Sequence, residues 1–182
     1  IKSGVSAQVA IVQKTIKYSV IFTLPMAVKK LVRGVEIEEK TSSPVTYIAL
    51  DTVKIGKQAL VFVSTRQSAE KAAEEIGSHL KLKDEKLNSL AEEALHALSR
   101  PTKQCERLAR CIRGGTAFHH SGLIAKQRQL IEDNFRSGAI RIICCTPTLA
   151  AGVDLPAFRA VIRDLKRFSE RSGYGYGGSN WI

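Results

Sequence analysis

Two threonines, a glycine and a carboxylate stand close together in TPTLAAGVDLPA (146–157). Thr146 and Thr148 follow the apolar run IRIICC (140–145), so their hydroxyls and neighbouring backbone N–H groups project from a strand end. N–H groups at a helix start favour an anion, and phosphate is the usual one. Gly152 lets the backbone approach a ligand closely, and Asp154 offers an acceptor for a ribose hydroxyl. The same residues also suit a plain strand–turn–helix with threonine caps and a solvated aspartate. Two other short stretches have similar chemistry: Ser64, Thr65 and Arg66 behind ALVFV (59–63), and His120, Ser121 and Gly122 behind TAFH (116–119).

His119, His120, Cys144 and Cys145 raise two other chemistries. Successive strand residues face opposite ways, so one of each pair at most could reach a shared zinc, which takes about four ligands. No metal site is expected. A thiol nucleophile needs an activating base, whereas Cys144 and Cys145 sit in an apolar strand where burial raises the thiol pKa. With Cys105 and Cys111 they form no C-x-x-C, so core cysteines in a reducing cytoplasm are expected rather than a disulfide framework.

The elements that must hold these residues follow from periodicity. Val45, Ile48, Ala49, Thr52 and Val53 recur at helical spacing, with Gly56 to close the helix. ALVFV is a strand buried on both faces. Ser64 and Gln67 have capping-box spacing before a helix with Ala69, Ala72, Ala73, Ile76 and Leu80 on one face. Leu87, Leu90, Ala91, Ala94, Leu95 and Leu98 mark a second helix, whose stripe is core packing. Pro101 suits the first turn of a third, which ends at Gly114-Gly115. A strand at 116–119, a helix at 125–136 stopped by Gly138, a strand at 140–145, a helical turn near 148–151 and a strand at 159–164 complete the pattern. Strands alternating with helices specify a mostly parallel α/β sheet, in which ligands bind at the carboxyl ends of the strands. That rule selects Ser64–Gln67, His119–Leu123 and Thr146–Pro156.

The chain has 182 residues, enough for one ordinary domain, and its 44% hydrophobic and 25% charged content is that of a globular protein. A net charge of +11 favours a polyanionic partner such as nucleic acid. Basic residues cluster at Lys29, Lys30 and Arg33 and again at Arg159, Arg163, Lys166, Arg167 and Arg171, where they suit either a strand path or a solvated surface. No apolar run is long enough to span a bilayer, and the start carries no secretion signal. The lone Met26 and the apolar end Asn180-Trp181-Ile182 suggest a piece of a longer protein.

TPTLAAGVDLPA resembles motif V of superfamily two helicases, in particular the archaeal Hjm-type (Ski-like) DNA helicases. LVFVSTRQSAE (60–70) resembles their motif IV, AFHHSGL (117–123) their motif IVa, and VIRDLKRFS (161–169) the segment after motif V. The resemblance implies a RecA-like three-layer α/β sandwich, the second of two motor domains, with ATP and Mg²⁺ held mainly by the first. It implies DNA-backbone contacts from Ser64, Thr65, Arg66, His120, Ser121, Gly122, Thr146 and Thr148, with Gly152 and Asp154 towards the nucleotide. Contacts to phosphate position a strand and carry little sequence information. The implied partners are single-stranded or forked DNA and the first RecA-like domain, in a cytoplasmic monomer that translocates 3′ to 5′. On this reading residues 1–44 are short strands and linker and 45–171 the RecA-like helicase C-terminal domain. Residues 172–182 are then a Gly/Ser-rich loop stopping before the arginine-finger motif. The sequence contains no G-x-x-x-x-G-K-[ST] and no D-E-x-H, so this piece is expected to bind DNA weakly and to hydrolyse no ATP. An RNA helicase domain and a non-catalytic nucleic-acid-binding module are the alternatives.

Overall fold

A computed structural model describes residues 8–11, 19–21, 43–82, 84–147, 149, 154–164, 166–167 and 180–181. Its elements run β1 (Gln8–Ile11), β2 (Ser19–Ile21), α1 (Pro44–Lys54), β3 (Ala59–Phe62), α2 (Arg66–Leu80), α3 (Glu85–Leu95) and α4 (Lys103–Arg113). They continue with β4 (Thr116–His119), α5 (Ala125–Arg136), β5 (Ile142–Cys145), β6 (Arg159–Ile162), β7 (Lys166–Arg167) and β8 (Asn180–Trp181). Six strands form one sheet in the order β2-β1-β6-β3-β5-β4, and β7 pairs β8 separately. Within the sheet only the β1–β2 pair is antiparallel.

The register separates the two faces. Ala59 and Thr116 both pair with Ile142, and Val61 and Phe118 with Cys144, so these residues share one face. Thr116 Oγ1 reaches Ala73 O of α2 at 2.9 Å and Cys111 O of α4 at 3.2 Å, which places those helices on that side. Arg159, also in this register, reaches Asp51 Oδ2 of α1 at 2.5 Å, so α1 covers the same face. His119, on the opposite face, lies 2.9 Å from Glu132 of α5. The result is a three-layer α/β sandwich of the RecA-like kind, with Ile142, Ile143, Cys144 and Cys145 fully buried between helices. Burying each such isoleucine contributes about 1.5–3 kcal/mol, and the core formed with Phe118, Ile131 and Phe135 is continuous.

Helix α2 meets the end of α4 at two glycines. A Cβ on Gly77 would lie 2.7 Å from Thr116 Oγ1, and one on Gly114 would lie 2.8 Å from Gly77 O. Hydrogen at Gly77 leaves room for the Thr116 hydroxyl, and hydrogen at Gly114 lets the end of α4 approach the α2 backbone.

Several boundaries differ from the sequence-based expectation. Pro44 begins α1 instead of ending a linker. Thr65, not Ser64, caps α2, its hydroxyl accepting from Ser68 N at 3.1 Å. Helix α3 ends at Leu95, so Leu98 lies beyond it. Thr102 caps α4, which puts Pro101 before the cap and outside the first turn. Strand β5 starts at Ile142 because Ile140 N still donates to Asn134 O of α5 at 3.0 Å. The basic cluster at 29–33, most of the turn at 148–151 and residues 172–179 of the loop expected at 172–182 lie outside the described residues, while Asn180–Trp181 forms a strand.

Candidate nucleic-acid interface

Parallel strands bring their carboxyl ends to one edge, where β6, β3, β5 and β4 deliver Asp164, Ser64, Thr146 and His120 in that spatial order. The ladder continues one residue past the strands. Arg163 N donates to Phe62 O at 3.0 Å, Val63 N to Cys145 O at 2.9 Å, and Thr146 N to His119 O at 3.3 Å. The Thr146 N–H is therefore spent within the sheet, and the residue is only 9% exposed, so it is packed into the edge rather than carried on an open loop.

The hydroxyls nearest the edge are committed in the same way. Ser64 donates through both N (2.9 Å) and Oγ (3.1 Å) to Asp164 Oδ2. Thr65 Oγ1 donates to Ser68 Oγ at 2.9 Å while it caps the helix. Arg66 and Gln67 open α2 and are exposed. N–H groups in a first turn have no acceptor inside the helix and carry its positive end. The outward-facing donors of this segment are thus Arg66 and the start of α2.

The loop behind β4 is built around a buried ring. His120 is 1% exposed and stacks on Phe118, with centroids 5.5 Å apart and 7° between planes. Gly122 N donates to His120 Nδ1 at 3.1 Å, so the proton belongs on Nε2, which donates to Glu70 Oε1 at 3.2 Å. A Cβ on Gly122 would lie 3.0 Å from Nδ1, and Arg66 Cδ is 3.6 Å from the same point. The ring of His120 thus faces the interior, while Ser121 and Gly122 are exposed beside Arg66.

Burial lowers the pKa of His120; Glu70 opposes it, and Arg66 and His119 reinforce it. His119 is lowered by burial as well, against the pull of Glu132 and with help from Arg128. Asp164 is pulled up by burial, but Ser64 and Arg163 outweigh that and leave it below the usual carboxylate range. The signs predict two losses of stability on acidification. Histidines freed by unfolding take protons near pH ~6.5, whereas the folded ones resist, so stability is full above that value and falls below it. Asp164 stabilises above the ordinary carboxylate pKa of about 3.9, and its contribution disappears as pH drops through its lower folded value. Urea midpoints measured from pH 8 to 3 should fall in those two stages; a flat profile from pH 7 to 5 would contradict the buried neutral histidines.

All four cysteines are free and buried. Burial pushes the thiol of Cys111 up to about 12 and raises Cys144 and Cys145 strongly, which makes them inert. Among the described residues no three His, Cys, Asp or Glu side chains are grouped to hold a metal ion.

The structure gathers Ser64, Thr65, Arg66, His120, Ser121, Gly122 and Thr146 at the carboxyl edge and sets Asp154 elsewhere. Phe158 N bonds Gln58 O just before β3, so the chain from Thr146 to Phe158 crosses towards the amino ends of the strands. Asp154 is exposed on that crossing, its backbone oxygen 3.4 Å from Arg136 Nε at the end of α5. Thr148 and Gly152 lie outside the described residues.

Asp164 and Glu70 were not singled out from sequence. Asp164 could have been, since it stands just past β6 where the carboxyl-end rule applies. Glu70 is a carboxylate within the buried stripe Ala69, Ala73, Ile76 and Gly77 of α2, and a charge at such a position requires partners.

Sheet order and layers are those of a RecA-like α/β domain, and comparison agrees. Residues 87–169 match the helicase conserved C-terminal domain. The chain is 40% identical over 165 residues to the ATP-dependent DNA helicase Hel308 of Methanocella arvoryzae, covering 87% of this chain and 22% of that protein. It is 47% identical over 125 residues to the Pyrococcus abyssi protein of the same name, covering 68% of this chain and 17% of that one. The chain therefore spans about a fifth of the length of these archaeal relatives. It carries a RecA-like domain of the helicase C-terminal kind, similar to that of these archaeal superfamily two DNA helicases.

Proposed function

We propose that the parent protein is an ATP-dependent DNA helicase that moves 3′ to 5′ along single-stranded DNA and unwinds duplexes in replication-fork processing or repair. Within it, this domain is one of the two grips on the strand. The observation that carries the reading is the shared edge formed by Arg66, Ser121, Gly122 and Thr146. The names of relatives at 40–47% identity, which specify ATP and DNA, support the choice of polymer and fuel.

The residues divide the work. Arg66, the open N–H groups of α2 and the Ser121 hydroxyl face the solvent and would meet backbone phosphates. Ser64, Thr65 and His120 hold those donors in place, because their own hydrogen-bonding groups are engaged inside the protein. Thr146 sits between the two loops. ATP with Mg²⁺ would supply the energy for alternating between two strand-gripping states. Among the described residues no three His, Cys, Asp or Glu side chains are grouped to hold the Mg²⁺. Asp154, with Gly152, would face the nucleotide from this side, and the first RecA-like domain would complete the cleft in a cytoplasmic monomer. This chain alone would bind DNA weakly and leave ATP intact.

The test is strand displacement by the full-length parent on forked DNA and on the matching RNA substrate. ATP-dependent unwinding of DNA, from 3′ overhangs only and weakened several-fold by the paired substitutions Arg66→Ala and Ser121→Ala, is expected. Equal or better displacement of RNA would make the parent an RNA helicase. A parent that unwinds neither would leave a non-catalytic binding module.

A further inference from the structure

Glu70 is buried in α2, one turn behind Arg66. Its Oε1 accepts from Gln104 Nε2 of α4 at 2.7 Å and from His120 Nε2 at 3.2 Å, and its Oε2 is paired with Arg107 of α4. Arg107 is also held by Glu74, through Nε at 2.6 Å and Nη2 at 2.9 Å. Glu70 thus joins α2, α4 and the loop behind β4 at one carboxylate, whereas Glu74 shares only Arg107.

The loop is also held by the stack of His120 on Phe118, by Leu123 N donating to His120 O at 3.1 Å and by Arg128 Nη1 donating to Leu123 O at 3.0 Å. Of these only the His120 ring stands beside Gly122. Gly122 N donates to Nδ1 of the imidazole, and that bond requires the proton to stay on Nε2. A carboxylate acceptor at Nε2 selects this tautomer, as a second group commonly does for a histidine. Exposed Gly122 then stands against the stem of Arg66, one turn before Glu70 on the same helix, and exposed Ser121 precedes it in the loop.

We propose that Glu70 is a positioning residue of the strand grip: through His120 it fixes Ser121 and Gly122 beside Arg66, so that both loops present donors to the same phosphates. This deepens the DNA-binding reading and rests on it. The charged and titratable groups around the ring are Glu70 and Arg66 on α2 and His119 on β4, and Glu70 is the one that favours its protonated form. Arg107 and Gln104, on α4, reach the ring only through Glu70.

The experiment is a double-mutant cycle on oligonucleotide affinity, with labelled single-stranded DNA as probe and urea midpoints recorded for every variant. Glu70→Ala and His120→Ala should each weaken binding by about tenfold, the size of one lost charge-assisted hydrogen bond. The double variant should lose about tenfold as well, because the second change removes nothing further. Glu74→Ala, which also strips Arg107 of a partner, should stay within about twofold of the unaltered chain. Glu70→Gln keeps the side-chain shape and guards against a variant that fails to fold. In its imidazole ¹⁵N spectrum the His120 pKa should fall further, since the carboxylate that favours the charged ring is gone. Additive losses in the cycle, an equal loss in Glu74→Ala, or an unmoved His120 titration would overturn the proposal. An unaltered chain that binds no DNA would remove the DNA reading too. Normal binding with an unaffected Glu70→Ala would remove only the role of Glu70.

Discussion

Phe118→Ala should lower the unfolding free energy by about 3–5 kcal/mol, the cost of emptying a well-packed aromatic site. Phe118 is fully buried on β4, on the sheet face that α2 and α4 cover. The vacated space has no easy way to close, because the neighbouring Cys144 belongs to the adjacent strand and the helices are held by Thr116. The ring also supports His120 from below, so the loop that carries Ser121 should loosen before the sheet does. Urea unfolding with an unchanged slope measures the first effect. A loss under about 1 kcal/mol would mean that β4 is not packed as described.

Asp164→Ala should cost about 1–2 kcal/mol, less than a fully buried pair because the carboxylate is partly exposed. The substitution strips the acceptor from Ser64 N and Oγ at once and frees Arg163, which lies 3.3 Å from Asp164 Oδ1. Asp164→Asn is the sharper comparison. It keeps an oxygen for the Ser64 N–H and loses only the charge, so it should retain more than half of that stability at pH 7. If the two variants were equally destabilised, charge rather than the hydrogen bond would be what ties β6 to β3 at the edge. Removing a negative charge beside a phosphate path also raises non-specific attraction, so affinity and stability are expected to move in opposite directions in the Asn variant.

Much of the architecture was legible because the signals were local. ALVF and IICC are apolar runs of strand length, and the stripes on α2, α3 and α4 keep helical spacing. Caps were less legible, since Ser64 and Thr65 are adjacent hydroxyls and either spacing fits a cap. What decides between them is Asp164, a hundred residues away, which claims Ser64 and leaves Thr65 for the helix. The start of β5 was set by the end of α5, another tertiary effect.

For the site, topology alone located the edge, since parallel strands must deliver their carboxyl ends together. Which hydroxyls remain free for a ligand could not be read from spacing. His120 looked like a surface donor, yet its partners Glu70 and Phe118 draw it inward. Thr146 looked like a loop hydroxyl, yet the strand ladder extends through its N–H and buries it. A Thr146→Ala variant therefore touches packing as well as any strand contact, and Arg66 is the cleaner probe.

The most direct measurement is fluorescence anisotropy of a labelled single-stranded oligonucleotide against this chain at several salt concentrations, with Arg66→Ala in parallel. Weak binding that falls steadily with salt is predicted, with a log–log slope that drops by roughly 0.7–1 unit when Arg66 is removed, the share of one phosphate contact. Binding that is absent at low salt, or a slope that Arg66→Ala leaves unchanged, would contradict a phosphate grip at the carboxyl edge of this sheet.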